Sequence, residues 1–361
     1  MDFTITDEQK ALSDAVRELV TRATPELTGD VPVGPQPHDA KVWQQLAEVG
    51  ALGLPYSEEH GGFGASLVEA VLVAVELGRG RIQSAYADSI LAGVLVEELG
   101  TDEQKSLIEA IASGESLVIP AINEPMREFS HDAHTVTATQ AGDGWTLSGV
   151  KEPVRYAADA THVLVTAKAG DTTGVFVVEA PQATGDRLEF AATPATLLGT
   201  TADAAAAIDK AINVAIIVLA GESLGAMDAA VPMTAEYLNT RQQFGVPLAT
   251  FQTLTHRAAD MYVSLELARS SVLYGAMALS EDRSDATTAS RVKVVVGQSG
   301  RHIGQEAIQL HGGIGVTAEY AVGHLTAAIT AAEHTYGDTR HHLTRLSAGL
   351  RDTGVVEVLH A

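Results

Sequence analysis

Arg241-Gln-Gln-Phe-Gly245, followed by Gln252, and Gln309-Leu-His-Gly-Gly-Ile-Gly315 are the two segments on which the reading of this chain turns. The first combines a fixed positive charge with flanking amides and an aromatic ring. The second sets a glutamine beside a Gly-Gly pair and a further glycine, where a helical pattern gives way to tight backbone. A guanidinium fork, side-chain amides and backbone without Cβ are the means by which a protein holds a diphosphate closely. Each segment alone also reads as an ordinary helix end, with a capping arginine in one and a glycine C-cap in the other.

Outward from these segments the chain is helical on both flanks of the second half. Alanine-rich helical patterns run over roughly Ala204–Arg241, Leu254–Leu279, Thr287–Leu310 and Tyr320–Thr335, with a last one reaching Leu350. The stretch before Ala204 has a different texture. Ser116-Leu-Val-Ile-Pro, Thr135-Val-Thr-Ala-Thr, Trp145-Thr-Leu-Ser, His162-Val-Leu-Val-Thr-Ala and Gly174-Val-Phe-Val-Val-Glu are short, rich in β-branched residues and separated by turn residues. They predict a compact antiparallel sheet ending near Asp203, and Ala141-Gly-Asp-Gly-Trp reads as its hairpin turn. From Thr6 to about Gly114 the pattern is helical again, with Thr6 or Asp7 as the cap and Ala11, Leu12, Val16, Leu19 and Val20 at helical spacing. Gly61-Gly62 and Gly64 interrupt it, Leu67 to Gly78 resumes it, and a further helix covers Asp102 to Ala112. Periodicity therefore gives an α+β protein ordered helix, sheet, helix, with expected boundaries 1–115, 116–203 and 204–361.

Composition narrows the function classes. A chain of 361 residues can bury a substantial core, and the absence of cysteine removes disulfides and thiolate chemistry. A net charge of −23 argues against nucleic acid or anionic membrane as a partner, and any phosphate must be met by local cations. The opening Met1-Asp-Phe-Thr-Ile-Thr-Asp lacks a charged-then-apolar signal pattern, and Ala211 to Ala220 is a short apolar run in an otherwise amphipathic helix. The expectation is a soluble, cytoplasmic protein.

The two opening segments, with others in the same order, resemble the acyl-CoA dehydrogenases, flavoproteins that oxidise the Cα–Cβ bond of an acyl thioester. Met1-Asp-Phe with Glu8-Gln9 is similar to the family's opening helix. Pro55-Tyr-Ser-Glu-Glu-His-Gly-Gly-Phe-Gly64 resembles its Pro-Glu-x-x-Gly-Gly-x-Gly turn, and Glu76-Leu-Gly-Arg79 the helix that follows. The resemblance implies an N-terminal helical domain, a β domain and a C-terminal four-helix bundle. It also implies FAD as cofactor and acyl-CoA as substrate. Arg241, Gln243, Phe244, Gln252, Gln309, Gly312 and Gly313 would hold the adenosine-diphosphate end of a flavin whose ring rests on a neighbouring subunit.

The same resemblance exposes what is missing. The family's base, a glutamate beside a glycine after the last long helix, would fall at Tyr336, before Gly337. A tyrosine with an ordinary pKa of about 10 is a poor base at neutral pH. The alternative base position, on the helix before the Arg241 segment, falls at Ala215. Three acids remain as weak candidates: Glu222 two turns further on, Asp260 in Arg257-Ala-Ala-Asp-Met, and Asp338 on the far side of Gly337. Asp260 reads first as a buried or interface hydrogen-bonding carboxylate. Asn123-Glu-Pro125 survives from the flavin-facing motif, but Met126-Arg-Glu-Phe-Ser130 replaces the small-residue turn, and Pro153-Val-Arg155 stands in place of Trp-Ile-Thr. Residues that would serve a neighbour are present, and residues that would serve this chain's own ring are not.

That pattern resembles the smaller, base-lacking subunit of actinobacterial heteromeric (α2β2) acyl-CoA dehydrogenases, which act on steroid side-chain CoA thioesters. It implies a larger partner subunit carrying the base and a roomy cleft. A self-sufficient homotetramer with a displaced acidic base, a flavin monooxygenase and a cofactor-free scaffold are the other readings. His334, His341 and His342 invite a metal site, but adjacent helical residues point about 100° apart, so a solvated or interface role is expected instead. Arg340 and Arg345 either assist the partner's nucleotide or offset nearby acids.

Overall fold

The structure, a computed structural model, describes residues 5–350 apart from Pro25, Thr28, Asp30, Val31 and Asp143. Met1-Asp-Phe of the opening-helix resemblance and the central Asp143 of the expected hairpin turn lie outside the described residues.

Five α-helices form the first part: α1 (Asp7–Ala23), α2 (Ala40–Glu48), α3 (Leu67–Arg79), α4 (Tyr86–Leu99) and α5 (Asp102–Ala112). Thr6 caps α1 and Thr101 caps α5 in the same way, each hydroxyl accepting the N3 amide while the N3 glutamine returns to the cap backbone. Helix α4 is buried almost all round, which its continuous apolar sequence requires.

The strands are β1 (Val118–Ala121), β2 (Thr137–Ala141), β3 (Gly144–Lys151), β4 (His162–Ala169), β5 (Thr172–Glu179), β6 (Ala183–Thr184) and β7 (Arg187–Leu197). The β2–β3 and β4–β5 hairpins are antiparallel, as the turn chemistry predicts. The purely antiparallel expectation is corrected at β4, which pairs in parallel with β1 and, at its far end, with β2. Long connections bring both strands to that edge, so no local turn signal marks the pairing. Pairings β4–β2, β2–β3, β3–β7, β7–β5 and β5–β4 close a circuit of strands. Strand β7, with left-handed Ala192 and register-shifting partner residues Leu147 and Ser148, has no counterpart among the predicted strands.

The second helical part holds α6 (Ala205–Thr240), α7 (Gln252–Glu281), α8 (Ala286–His311), α9 (Ala321–His334) and α10 (Thr339–Leu350). The two-residue strands β8 (Gln242–Gln243) and β9 (Val246–Pro247) make a hairpin between α6 and α7. Helix α6, with 36 residues, is the axis of the molecule and packs on α3, α4, α7, α8 and α9. The amphipathic expectation for it is corrected: it is long and apolar enough to cross a membrane, and 78% of its most apolar window is buried inside the protein. At its crossing with α3 the backbones touch. A Cβ on Gly225 would lie 1.9 Å from the Val75 carbonyl oxygen, and one on Gly78 would lie 1.9 Å from that of Glu222. Arg79 links Glu76 to Asp228, and Arg17 (2.8 Å to Glu76) and Arg269 tie α1 and α7 into the same buried charge network.

Candidate functional site

The predicted binding residues gather on the outer end of the helical bundle. Helix α6 stops at Thr240, and Arg241 leaves it in an extended conformation with its amide still donating to the Tyr237 carbonyl (2.8 Å). Phe244 and Gly245, both at positive φ (54° and 82°), make the hairpin turn, which leaves the Phe244 ring 93% exposed. Gln252 opens α7, and Gln309 lies in the last turn of α8. Gly312 ends that helix with φ 64° and ψ −141°, a conformation open essentially to glycine alone.

Arg241, Gln243, Gln252, Gln309, Gly312 and Gly313 are all exposed. The Arg241 guanidinium makes no hydrogen bond or ion pair among the described residues, and a Cβ on Gly245, Gly312 or Gly313 would meet no atom within 4 Å. An uncommitted guanidinium, exposed amides (Gln243 donating to the Gln242 carbonyl at 2.9 Å and Gln252 paired with His256 at 3.4 Å) and glycine backbone facing open space fit the diphosphate of FAD. No group of this chain covers them.

The position expected of the base is interior and fully occupied by the protein. Tyr336 is buried at left-handed φ 57°, and its hydroxyl donates to Oδ1 of buried Asp88. The other Asp88 oxygen accepts from Arg155 Nη2 at 2.7 Å. Burial, then the Asp88 charge, hold the Tyr336 phenol well above its ordinary pKa, so it is no base. Asp88 thus joins Tyr336 and Arg155, the residues that the resemblance sets at the base and flavin-facing positions. Sequence reasoning missed it, although a lone carboxylate inside an apolar helix is itself a signal of a buried partner.

The Tyr336 turn is held from beneath. His342 Nε2 donates to the Tyr336 carbonyl (2.9 Å) and its Nδ1 accepts from the Ser290 hydroxyl (3.1 Å). Lys293 donates to the carbonyls of Ala332 (2.6 Å) and Thr335 (2.7 Å). His342 is therefore a buried structural histidine, which corrects the solvated reading. His334 is exposed and His341 packs its ring edge-on against Phe129 at 5.5 Å. No metal-binding group of three ligands exists among the described residues.

Glu222 lies on the wall of a cavity of about 70 Å³ shared with Arg155, Tyr156, Gln36, Ser223 and His324. Its Oε1 is buried with no hydrogen-bond partner. Burial pushes the carboxyl up to about 8, against Arg155 and with Asp88. Asp260 sits exposed on α7 and does not line this cavity, so the buried reading of it does not hold within the chain. Asp338 caps α10, accepting from the His341 amide at 2.8 Å. It borders a separate open groove of about 660 Å³ with Phe129, Arg340 and Arg345, where Arg345 lies 4.0 Å from Asp209. The roomy cleft expected for a fused-ring substrate is not seen beside Arg155, where the cavity measures about 70 Å³.

Glu124 of Asn123-Glu-Pro125 serves the sheet. It accepts from the amides of His134, Thr135 and Val136, from the Thr135 hydroxyl and from buried Lys151. Burial raises its pKa, but Thr135, Lys151 and the amides outweigh it and leave the carboxylate at about 2.

Comparison with known proteins agrees with this geometry. Residues 6–115 match the acyl-CoA dehydrogenase N-terminal domain and residues 205–350 the acyl-CoA dehydrogenase C-terminal domain. Acyl-CoA dehydrogenase IpdE2 of Mycolicibacterium smegmatis is 27% identical over 95% of this chain and 99% of its own length. Among solved structures, the Tcur3481-Tcur3483 steroid ACAD variant is 29% identical with a TM-score of 0.85, covering 97% of this chain and 99% of its own. The ChsE4-ChsE5 complex from Mycobacterium tuberculosis is 25% identical with a TM-score of 0.87, covering 98% of this chain and all of its own. Helical flanks around a strand circuit, a glycine-and-arginine surface at the end of the bundle, and these matches together place the chain in the acyl-CoA dehydrogenase family.

Proposed function

We propose that this chain is the base-lacking subunit of a heteromeric, FAD-dependent acyl-CoA dehydrogenase, working in the cytoplasm. It supplies the adenosine-diphosphate clamp to a larger partner subunit that carries the catalytic base. The observation that carries this reading is the Tyr336–Asp88–Arg155 network: the base position holds a phenol committed to a buried carboxylate, and that carboxylate is committed to the arginine standing at the flavin-bonding strand. Ligand pockets for drug-sized molecules run to roughly 300–1,000 Å³. The 70 Å³ beside Arg155 admits water and little more.

Within such an assembly the chain's own residues bind and orient. Arg241 presents a planar fork suited to two phosphate oxygens, and Gly312 and Gly313 let backbone amides approach without a side chain between. Gln243, Phe244, Gln252 and Gln309 surround that approach. FAD, when bound, supplies the acceptor for the substrate's β-hydride. The face of α7 that carries Tyr262 (58% exposed), Val263 (66%), Leu267 (55%) and Tyr274 (41%) supports an interface built from the helical bundle. Helical segments 1–115 and 204–361 and the strand segment 116–203 are the units we assign to it. The neighbour described as a steroid ACAD supports a bulky acyl-CoA thioester as substrate, and the space for it then belongs to the partner's half.

A second reading rests on Glu222. A carboxyl near neutral pKa on a cavity wall with one oxygen unpartnered has the properties of a displaced base in a self-sufficient enzyme. Anaerobic titration with acyl-CoA separates the two. We expect no flavin bleaching from this chain alone, and bleaching by the complex that survives Glu222→Gln. Bleaching by the chain alone that Glu222→Gln abolishes would establish the second reading.

A further inference from the structure

Beneath the exposed clamp lies a stack of three rings that belong to different elements. Tyr237, in the last turn of α6, lies 4.5 Å from the His311 ring centroid at an interplanar angle of 31°. Tyr320, just before α9, packs on His311 at 5.0 Å and 53°, and the two tyrosines are 6.4 Å apart edge to face, so the three rings form a triangular cluster. His311 is 3% exposed. Its Nδ1 is 2.7 Å from the Ala307 carbonyl, which can only accept, so the proton is on Nδ1 and Nε2 is a lone pair. That Nε2 is buried without a partner.

Two of the rings lie beside the clamp segments, Tyr237 on the turn before Arg241 and His311 immediately before Gly312. The Tyr237 carbonyl accepts the Arg241 amide at 2.8 Å, so movement of that ring moves the arginine. His311 directly precedes Gly312, whose amide returns to the carbonyls of Ile308 and Gln309. The space a Cβ on Gly315 would need is 3.1 Å from the His311 Cβ, so the glycine turn is moulded on this residue. A diphosphate bound by two arms fits only if the arms keep a fixed separation. Exposed side chains cannot fix it for themselves, since each loses rotamer entropy on binding.

We propose that the Tyr237–His311–Tyr320 stack is the positioning element of the clamp. It holds the Arg241 arm and the Gln309–Gly313 arm at the separation a nucleoside diphosphate requires, with His311 acting through both and touching no ligand. This inference rests on the clamp reading above. The His311 N–H also fixes its ring to the Ala307 carbonyl, which a phenyl ring could not do.

The test uses the co-expressed complex, stripped of flavin and titrated with FAD and separately with ADP, alongside thermal unfolding and kcat per bound flavin. His311→Ala is expected to weaken FAD and ADP by about ten- to a hundredfold, the usual range for removing a supporting residue behind a ligand contact. kcat per bound flavin should stay unchanged, because the reacting atoms lie on the partner. His311→Phe, which keeps the stack, should recover most of the affinity. Tyr320→Leu, which removes one half-buried face without hollowing the core, should reproduce the loss if His311→Ala does not fold. Lower Tm with unchanged FAD and ADP affinity would overturn the proposal and leave a merely structural stack. The clamp reading has its own control: Arg241→Ala must weaken both ligands. If Arg241→Ala weakens them and His311→Ala does not, the stack proposal fails alone; if Arg241→Ala has no effect, the clamp itself is wrong.

Discussion

Asp88 accepts from Tyr336 across 248 residues of sequence and from Arg155 across 67. Removing one member of a buried charged pair leaves the other desolvated and unpaired, at a cost of about 3 kcal/mol. Asp88→Ala should therefore lower thermal stability by roughly that amount, measured by denaturant or heat, while Tyr336→Phe should cost about 1 kcal/mol, one hydrogen bond. Tyr336→Glu would appear to restore the family's base. Instead it sets a second carboxylate against Asp88, and like charges at such range oppose joint ionisation. The variant should be less stable and still fail to oxidise acyl-CoA alone, as an anaerobic flavin-bleaching assay would show. The reading that the base is lost rests on Tyr336 beside Gly337. The partner of Tyr336 was not legible, because nothing local to Tyr86-Ala-Asp88 says which distant side chain it meets.

At the scale of elements, the α3–α6 crossing decides where Glu222 and Arg155 sit. Gly225→Ala would push a methyl into the Val75 carbonyl, so the helices must separate. Overpacking of a tight core costs about 1–3 kcal/mol or more, and soluble yield and Tm should both fall. Gly349→Ala, facing open space near the end of α10, should change neither. The His342 cap on the Tyr336 turn gives a pH signature. Burial is the main cause holding it at about 4, against about 6.5 unfolded, so the unfolded chain binds its proton first. Its contribution is complete above pH 6.5 and is lost as pH falls towards 4, by up to about 1.4 kcal/mol per pH unit. A pH series of denaturant midpoints should show this slope, and His342→Gln should flatten it. Helix ends were readable because the break in helical pattern is local: α6 to α9 fall within about two residues of their predicted bounds. Strand β7 and the parallel β1–β4 pairing were not, because register is settled by neighbours far along the chain. The all-round burial of α6 likewise follows from five packing partners, which no periodicity in its own sequence reports.

At the scale of the molecule, a strongly acidic chain carries an uncommitted arginine and exposed glycines at one end of its bundle, while the equivalent interior site is closed by its own side chains. The fold was legible because its segments form short motifs; the clamp reading rests on motifs of the same kind, and the closed-site reading on missing ones. A half-site of this kind has a stoichiometric consequence. Flavin absorbance per chain, measured for this protein expressed alone and again co-expressed with a larger acyl-CoA dehydrogenase subunit, reads it directly. The account predicts a colourless protein alone and about one FAD per pair of chains in the complex. A yellow homo-oligomer with one FAD per chain would contradict it and return Glu222, Asp260 and Asp338 to consideration as the base.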